Sequence, residues 1–139
     1  MNHQTHNNYR TKSGRISMKA IREIAQKITD QFEVEKIILF GSYANGKPTR
    51  ASDVDLLVVM NTKKRTLEQR YDIYKSLVPV HFALDIIVRT EDDIQRRIPQ
   101  GDWFLKDVYE TGRILYAKWE LFMGCHLKAV IPECSYRES

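Results

Sequence analysis

The sequence predicts a mixed α/β (α+β) domain, a small mixed sheet flanked by helices. Three observations carry that prediction. A chain of 139 residues suits a single domain. A hydrophobic share of 42% is enough to build a core. Short apolar runs of strand character alternate with segments whose apolar residues recur at helical spacing.

Taken in order, residues 1–17 (MNHQTHNNYRTKSGRIS) are polar and lack the apolar middle of a secretory signal. They read as a flexible leader ahead of a domain spanning residues 18–118. From Ser17 to Gln31, Ile21, Ile24, Ala25 and Ile28 fall on one stripe, predicting an amphipathic helix capped by Ser17. Lys36–Phe40 is a short buried strand ended by Gly41. Ser42 to Lys47 makes one or two helical turns before Pro48 stops them. Asp53 to Met60 is the second strand, with Asp53, Asp55, Leu57 and Val59 on one side.

Thr66 to Val78 predicts a helix with Leu67, Tyr71, Tyr74, Leu77 and Val78 as its apolar stripe, and with Tyr71 and Tyr74 as core residues. His81 to Arg89 is the third strand, with Asp85 in its middle and His81 as a surface residue at its start. Thr90 and Asp93 form a capping-box pair for a helix to about Ile98. Asp102 caps another, carrying Phe104, Leu105, Val108 and Tyr109 and closed by Gly112. Trp103, Phe104 and Tyr109 read as packing or a partner surface. Arg113–Ala117 is the last strand. Residues 119–139 form a C-terminal extension to which the pattern assigns no role.

Composition excludes several classes. No apolar run approaches the roughly 20 residues of a membrane span, so a cytoplasmic protein is expected. Cys125 and Cys134, with His126 beside the first, match no zinc spacing and read as free thiols of a reducing compartment. The net charge of +4 is mild and its basic residues are scattered. The cluster Lys63-Lys64-Arg65 could attract phosphate or an acidic protein face, but it reads equally as a solvated turn, and direct nucleic-acid binding is not expected.

The acids are more informative. Asp85 sits between Ala83-Leu84 and Ile86-Ile87, in a strand that reads as buried, where an ionised carboxylate needs a partner or a metal. Asp53 and Asp55 repel each other on one strand face. A divalent cation held by Asp53, Asp55 and Asp85 would relieve both problems, and Mg²⁺ favours such oxygen sites. Pairing of Asp85 with Arg89 or Lys36 is the alternative. Upstream, Gly41 allows close approach of a ligand to the backbone, and Ser42 could hold phosphate oxygens. An ordinary strand-to-helix turn with Ser42 as N-cap explains the same residues.

Together, GSYANG (Gly41 to Gly46), SDVD (Ser52 to Asp55) and ALDIIV (Ala83 to Val88) resemble the motifs of the DNA polymerase β-like nucleotidyltransferase superfamily. The chain is similar in particular to its small prokaryotic members, the minimal nucleotidyltransferases, over roughly Met18 to Lys118. One departure is Asn45, where the family pattern has Arg; Lys47 and Arg50 are the nearby cations. The resemblance implies a palm with helices on one side of its sheet, with Gly41 and Ser42 on the β/γ-phosphates of ATP. Asp53 and Asp55 would hold two Mg²⁺ ions, and Asp85 would complete the coordination of the first ion and help deprotonate an acceptor hydroxyl. It also implies transfer of AMP with release of pyrophosphate. Since such chains lack a separate acceptor domain, a partner or a second copy must present the acceptor. The resemblance points to a HEPN-domain toxin, with this chain as antitoxin modifying a toxin tyrosine. Two alternatives stay open: a non-catalytic antitoxin acting by occlusion, and an enzyme acting on a small hydroxyl compound such as an aminoglycoside.

Overall fold

The computed structural model describes residues 9–118. In chain order they form α1 (Met18–Gln31), β1 (Lys36–Phe40), α2 (Ser42–Asn45), β2 (Val54–Val59), α3 (Thr66–Leu77), β3 (Leu84–Arg89), α4 (Glu91–Arg97), α5 (Trp103–Thr111) and β4 (Arg113–Ala117). The strands make one mixed sheet in the order β3-β2-β1-β4. β2 and β3 run parallel through the α3 crossover, and the other two pairings are antiparallel. Fold class and element types are those expected from the sequence.

Local chemistry explains the boundaries. Ser17 Oγ accepts from the Ala20 N–H at 3.1 Å and starts α1. Thr90 and Asp93 complete a reciprocal capping box on α4, which satisfies two otherwise unpaired N–H groups. Asp102 accepts from the Leu105 N–H at 3.1 Å and starts α5. At the short α2, Gly41 occupies the cap position and makes no side-chain cap bond. Ser42 is therefore the first helical residue, not the cap.

Period-two alternation divides the strand side chains between two cores. Ile37, Leu39, Val54, Leu56, Val58, Ile86 and Val88 face α1 and α3, where Ile21, Ile24, Ile28 and Ile73 are buried. Ile38, Leu57 and Val59 face α4 and α5, against Ile94, Leu105 and Val108. Helices thus cover both faces of the sheet, not one. Burying each such aliphatic side chain is worth about 1.5–3 kcal/mol.

Two further expectations change. The inner face of α3 is Gln69, Ile73 and Leu77; of the predicted stripe Leu77 is buried and Tyr74 packs half-buried against the core, while the other three residues face outward. Leu67, Tyr71 and Val78 are 68%, 62% and 69% exposed. The reason lies in β3, an edge strand whose outward backbone groups need polar partners. Tyr74 Oη donates to the Leu84 carbonyl and accepts from the Ile86 N–H, both at 2.8 Å. Arg70 Nε donates to the Ile86 carbonyl at 2.5 Å. Helix α3 therefore turns polar side chains inward, and an apolar count misplaces its face.

Residues 9–17, part of the expected leader, pack on the domain. Arg10 and Ile16 form an isolated antiparallel bridge, Ile16 is buried, and its N–H donates to Tyr43 Oη at 2.8 Å. Tyr9 stacks on His81 with ring centres 5.8 Å apart. The remaining leader residues 1–8, the extension 119–139 and both cysteines lie outside the described residues.

Candidate active site

The site is set by register. Phe40 pairs with Asp55, and Asp55 pairs with Asp85 on the parallel strand. Register partners share a face, and neighbouring strands lie about 4.8 Å apart. The Asp55 and Asp85 carboxylates therefore sit side by side on the face that α4 and α5 cover further along. Asp53, exposed just before β2, adds a third negative charge felt at Asp55.

The turn after β1 closes against this row. Gly41 has φ 77° and ψ −155°, a conformation that a side chain strongly disfavours. A Cβ there would also run into Asp55 Oδ2. Glycine at this position thus lets the carboxylate lie directly on the backbone. Ser42, half-buried, follows as the first residue of α2.

Electrostatics mark Asp55 as the strained member. Its pKa is pushed up to about 6, first by burial, then by the negative charges of Asp85 and Asp53. Asp85 is less buried than its apolar neighbours suggest, because β3 is an edge strand; its side chain is 46% exposed. Its cationic partner is neither Arg89 nor Lys36. Arg70 Nη2 reaches Asp85 Oδ1 at 3.2 Å from α3, while the same guanidinium bonds Ile86 and lies 5.0 Å over the Tyr74 ring. Sequence reasoning missed Arg70. The available signal was a cation one helix before the acid-bearing strand, four residues ahead of Tyr74 on the same helix face.

Other candidate residues lie apart from this row. Asn45 Oδ1 turns back to accept from the Lys47 N–H at 3.0 Å. The Arg50 guanidinium sits against Gly14 in the N-terminal turn. Lys36 lies over the Tyr109 ring at 4.9 Å, and Lys64 and Arg65 are engaged by Asp72 and Glu68. A cavity of about 400 Å³ between Tyr9, α1 and the Pro79–Phe82 segment is not lined by the acids.

Among the described residues no group of three His, Cys, Asp or Glu side chains forms a ready-made metal cage. The donor chemistry nevertheless fits a hard divalent cation: all donors are carboxylates, and burial together with their mutual repulsion raises the Asp55 pKa. Mg²⁺ is commonly held by one or two carboxylates, with waters and substrate phosphates filling its shell. Asp53 and Asp55 could hold one, and Asp85 offers the oxygen that Arg70 leaves unbonded.

Carboxylates gathered beside an open Gly-Ser turn define a site suited to a phosphate-bearing ligand bound with a divalent cation. The family model for the nucleotidyltransferase domain matches residues 21–119, and the chain belongs to that family; it is a nucleotidyltransferase. It is 34% identical over 102 residues to a Methanocaldococcus jannaschii protein named "Putative protein adenylyltransferase MJ0604", covering 70% of this chain and 96% of that one. A second protein of that organism, "Putative protein adenylyltransferase MJ1379", is 41% identical over 46 residues, or 30% of this chain and 46% of the other. Among solved structures, a "putative nucleotidyltransferase from Sulfolobus solfataricus" superposes with a TM-score of 0.54 at 21% identity, over 74% of this chain and 82% of that one. That likeness concerns the fold. No helix among the described residues is long and apolar enough to cross a membrane.

Proposed function

We propose that this chain is a protein adenylyltransferase that transfers AMP from ATP to a tyrosine hydroxyl of a partner protein, a HEPN-domain toxin for which it serves as cytoplasmic antitoxin. The single observation that carries the catalytic part is the in-register placement of Asp55 and Asp85, closed by Gly41 and charged further by Asp53. The name of the 34%-identical relative supports a protein as acceptor.

In this reading Asp53 and Asp55 would hold two Mg²⁺ ions, and Asp85 would contribute to one of them. Bound Mg²⁺ would neutralise the triphosphate and align its α-phosphorus for in-line displacement. Gly41 and Ser42 bind the β/γ-phosphates through backbone N–H groups and a hydroxyl. Asp85, in this reading, orients the acceptor hydroxyl and receives its proton. The acceptor oxygen bonds to the α-phosphorus, the α–β bridging P–O bond breaks, and pyrophosphate leaves. Positioning and charge neutralisation do the work expected in phosphoryl chemistry.

Incubation with α-labelled ATP, Mg²⁺ and the product of a neighbouring HEPN gene tests the proposal. The expected result is label and an AMP mass increment on a toxin tyrosine, both lost in Asp55→Asn. Neutralisation of the toxin by Asp55→Asn with no AMP transferred by the parent chain would favour occlusion instead.

A further inference from the structure

Beside Asp85, on the outer edge of the sheet, lies a cavity of about 200 Å³ between α3 and β3. Its walls combine Thr66, Leu67 and Arg70 of α3 with Asp85, Ile87 and Arg89 of β3. The cavity runs along the edge strand, from the acid row at Asp85 toward the far end of β3. A strand rises about 3.3 Å per residue, so the four steps from Asp85 to Arg89 span roughly 13 Å. That is the length of a short extended peptide, not of a lone side chain.

The charges along this cleft are unequal. Arg70 is engaged by Asp85 and by the Ile86 carbonyl. Arg89 donates from Nη1 to the Val88 carbonyl at 2.8 Å but has no carboxylate partner among the described residues. Its Nε is buried without a hydrogen bond. The nearby Lys64 and Arg65 are already matched by Asp72 and Glu68. Arg89 is thus a cation whose charge the described chain leaves uncompensated, at one end of a cleft whose other end is the proposed acceptor-activating carboxylate. Between them stand Ile87 and Leu67, the latter 68% exposed. A leucine so placed offers apolar contact that the folded domain does not use.

We infer that the α3–β3 edge cleft is the acceptor subsite, taking an extended polypeptide segment whose hydroxyl-bearing residue lies at Asp85 and whose acidic residue, about four positions along, lies at Arg89. This deepens the proposed function and rests on it for the identity of the transferred group. Apolar contact comes from Leu67 and Ile87, and charge complementarity at Arg89 sets direction and preference. A peptide fits better than a nucleic acid strand, since the cleft is lined by aliphatic side chains rather than rings for base stacking.

Binding and chemistry can be read separately. Fluorescence anisotropy would measure binding of three labelled peptides with phenylalanine at the acceptor position and aspartate, serine or lysine about four positions away. The expected order is acidic tighter than neutral, and neutral tighter than basic. Arg89→Glu should weaken the acidic peptide about tenfold and reverse the order. Because Arg89 is partly buried, Leu67→Glu at an exposed position gives a second reading, with a loss of about fivefold for the acidic peptide. With tyrosine peptides, Arg89→Gln should raise KM for the acceptor and leave KM for ATP in place. Equal binding of acidic and basic peptides by the parent chain would overturn the inference. So would undiminished binding of the acidic peptide by Leu67→Glu, or single-stranded RNA displacing the acidic peptide in an Arg89-dependent way. Acidic peptide bound in the expected order with no AMP transferred to it would support the cleft and count against the adenylyltransferase reading.

Discussion

One face of the sheet carries three rows that differ sharply in chemistry. The row Phe40, Asp55, Asp85 meets solvent at one end, and the row Lys36, Val59, Arg89 closes the other. Between them Ile38, Leu57 and Ile87 pack beneath α4 and α5. Backbone pairing is the same throughout; only the side chains change. At the Lys36 end the charge is spread, with Lys36 over the Tyr109 ring and the next strand position filled by Val59. At the Asp55 end like charges are pressed together, and glycine at position 41 leaves room for the Asp55 carboxylate against the backbone. The contrast teaches that a stable fold did not require the acid row. It is a local cost retained by a sheet stabilised elsewhere.

Substitution can test that contrast. The largest effect is expected from Asp55→Asn, which should lower AMP transfer on the order of 10³-fold in a labelled-ATP assay. The same change should raise Tm at about pH 7. A carboxylate that holds its proton more tightly in the folded chain than in the unfolded one weakens folding when both are ionised. For Asp55 that weakening is complete above about 6 and fades as pH falls toward 3.8. The gain in Tm should shrink over the same window, and a gain independent of pH would break the comparison.

Leu57→Ala, in the middle row and fully buried, should cost about 2–5 kcal/mol in denaturant titrations. Its effect on transfer should follow the folded fraction alone. Arg70→Met comes next. Loss of the Ile86 bond should cost about 1 kcal/mol, and the partly exposed Asp85 pair should add little. Transfer should nevertheless fall about tenfold, because Asp85 loses its orientation. Arg70→Lys, which keeps charge without the fork, should recover only part of it. The smallest effect is expected at the Lys36 end. Tyr109 Oη is buried without a hydrogen bond and its pKa is raised to about 12, first by burial and then by Glu91. Tyr109→Phe should therefore be neutral or stabilising by up to about 1 kcal/mol, measured by thermal unfolding, with transfer unchanged.

Much of the architecture could be read from residue order. The strand bounds Lys36–Phe40 and Arg113–Ala117, the Ser17 and Asp102 caps and the Thr90–Asp93 box rest on neighbours within a few residues, and those signals are local. The α3 face failed for the opposite reason. Its inward side chains answer to the unpaired edge of β3, a fact of sheet order that apolar spacing cannot express. Asp85 was legible as a misfit but not as half-exposed, and its partner was sought on the strands when it lay on the helix.

The sequence by itself determined which segments are helix and strand and where along the chain the acids and the Gly-Ser turn fall, because periodicity, caps and glycines act over a few residues. Only tertiary structure decided that β3 lies at the edge, that Asp55 and Asp85 share a row, and that Arg70 holds one of them. Register and strand order are long-range choices, made by burying two apolar faces at once, and no short stretch of chain contains them.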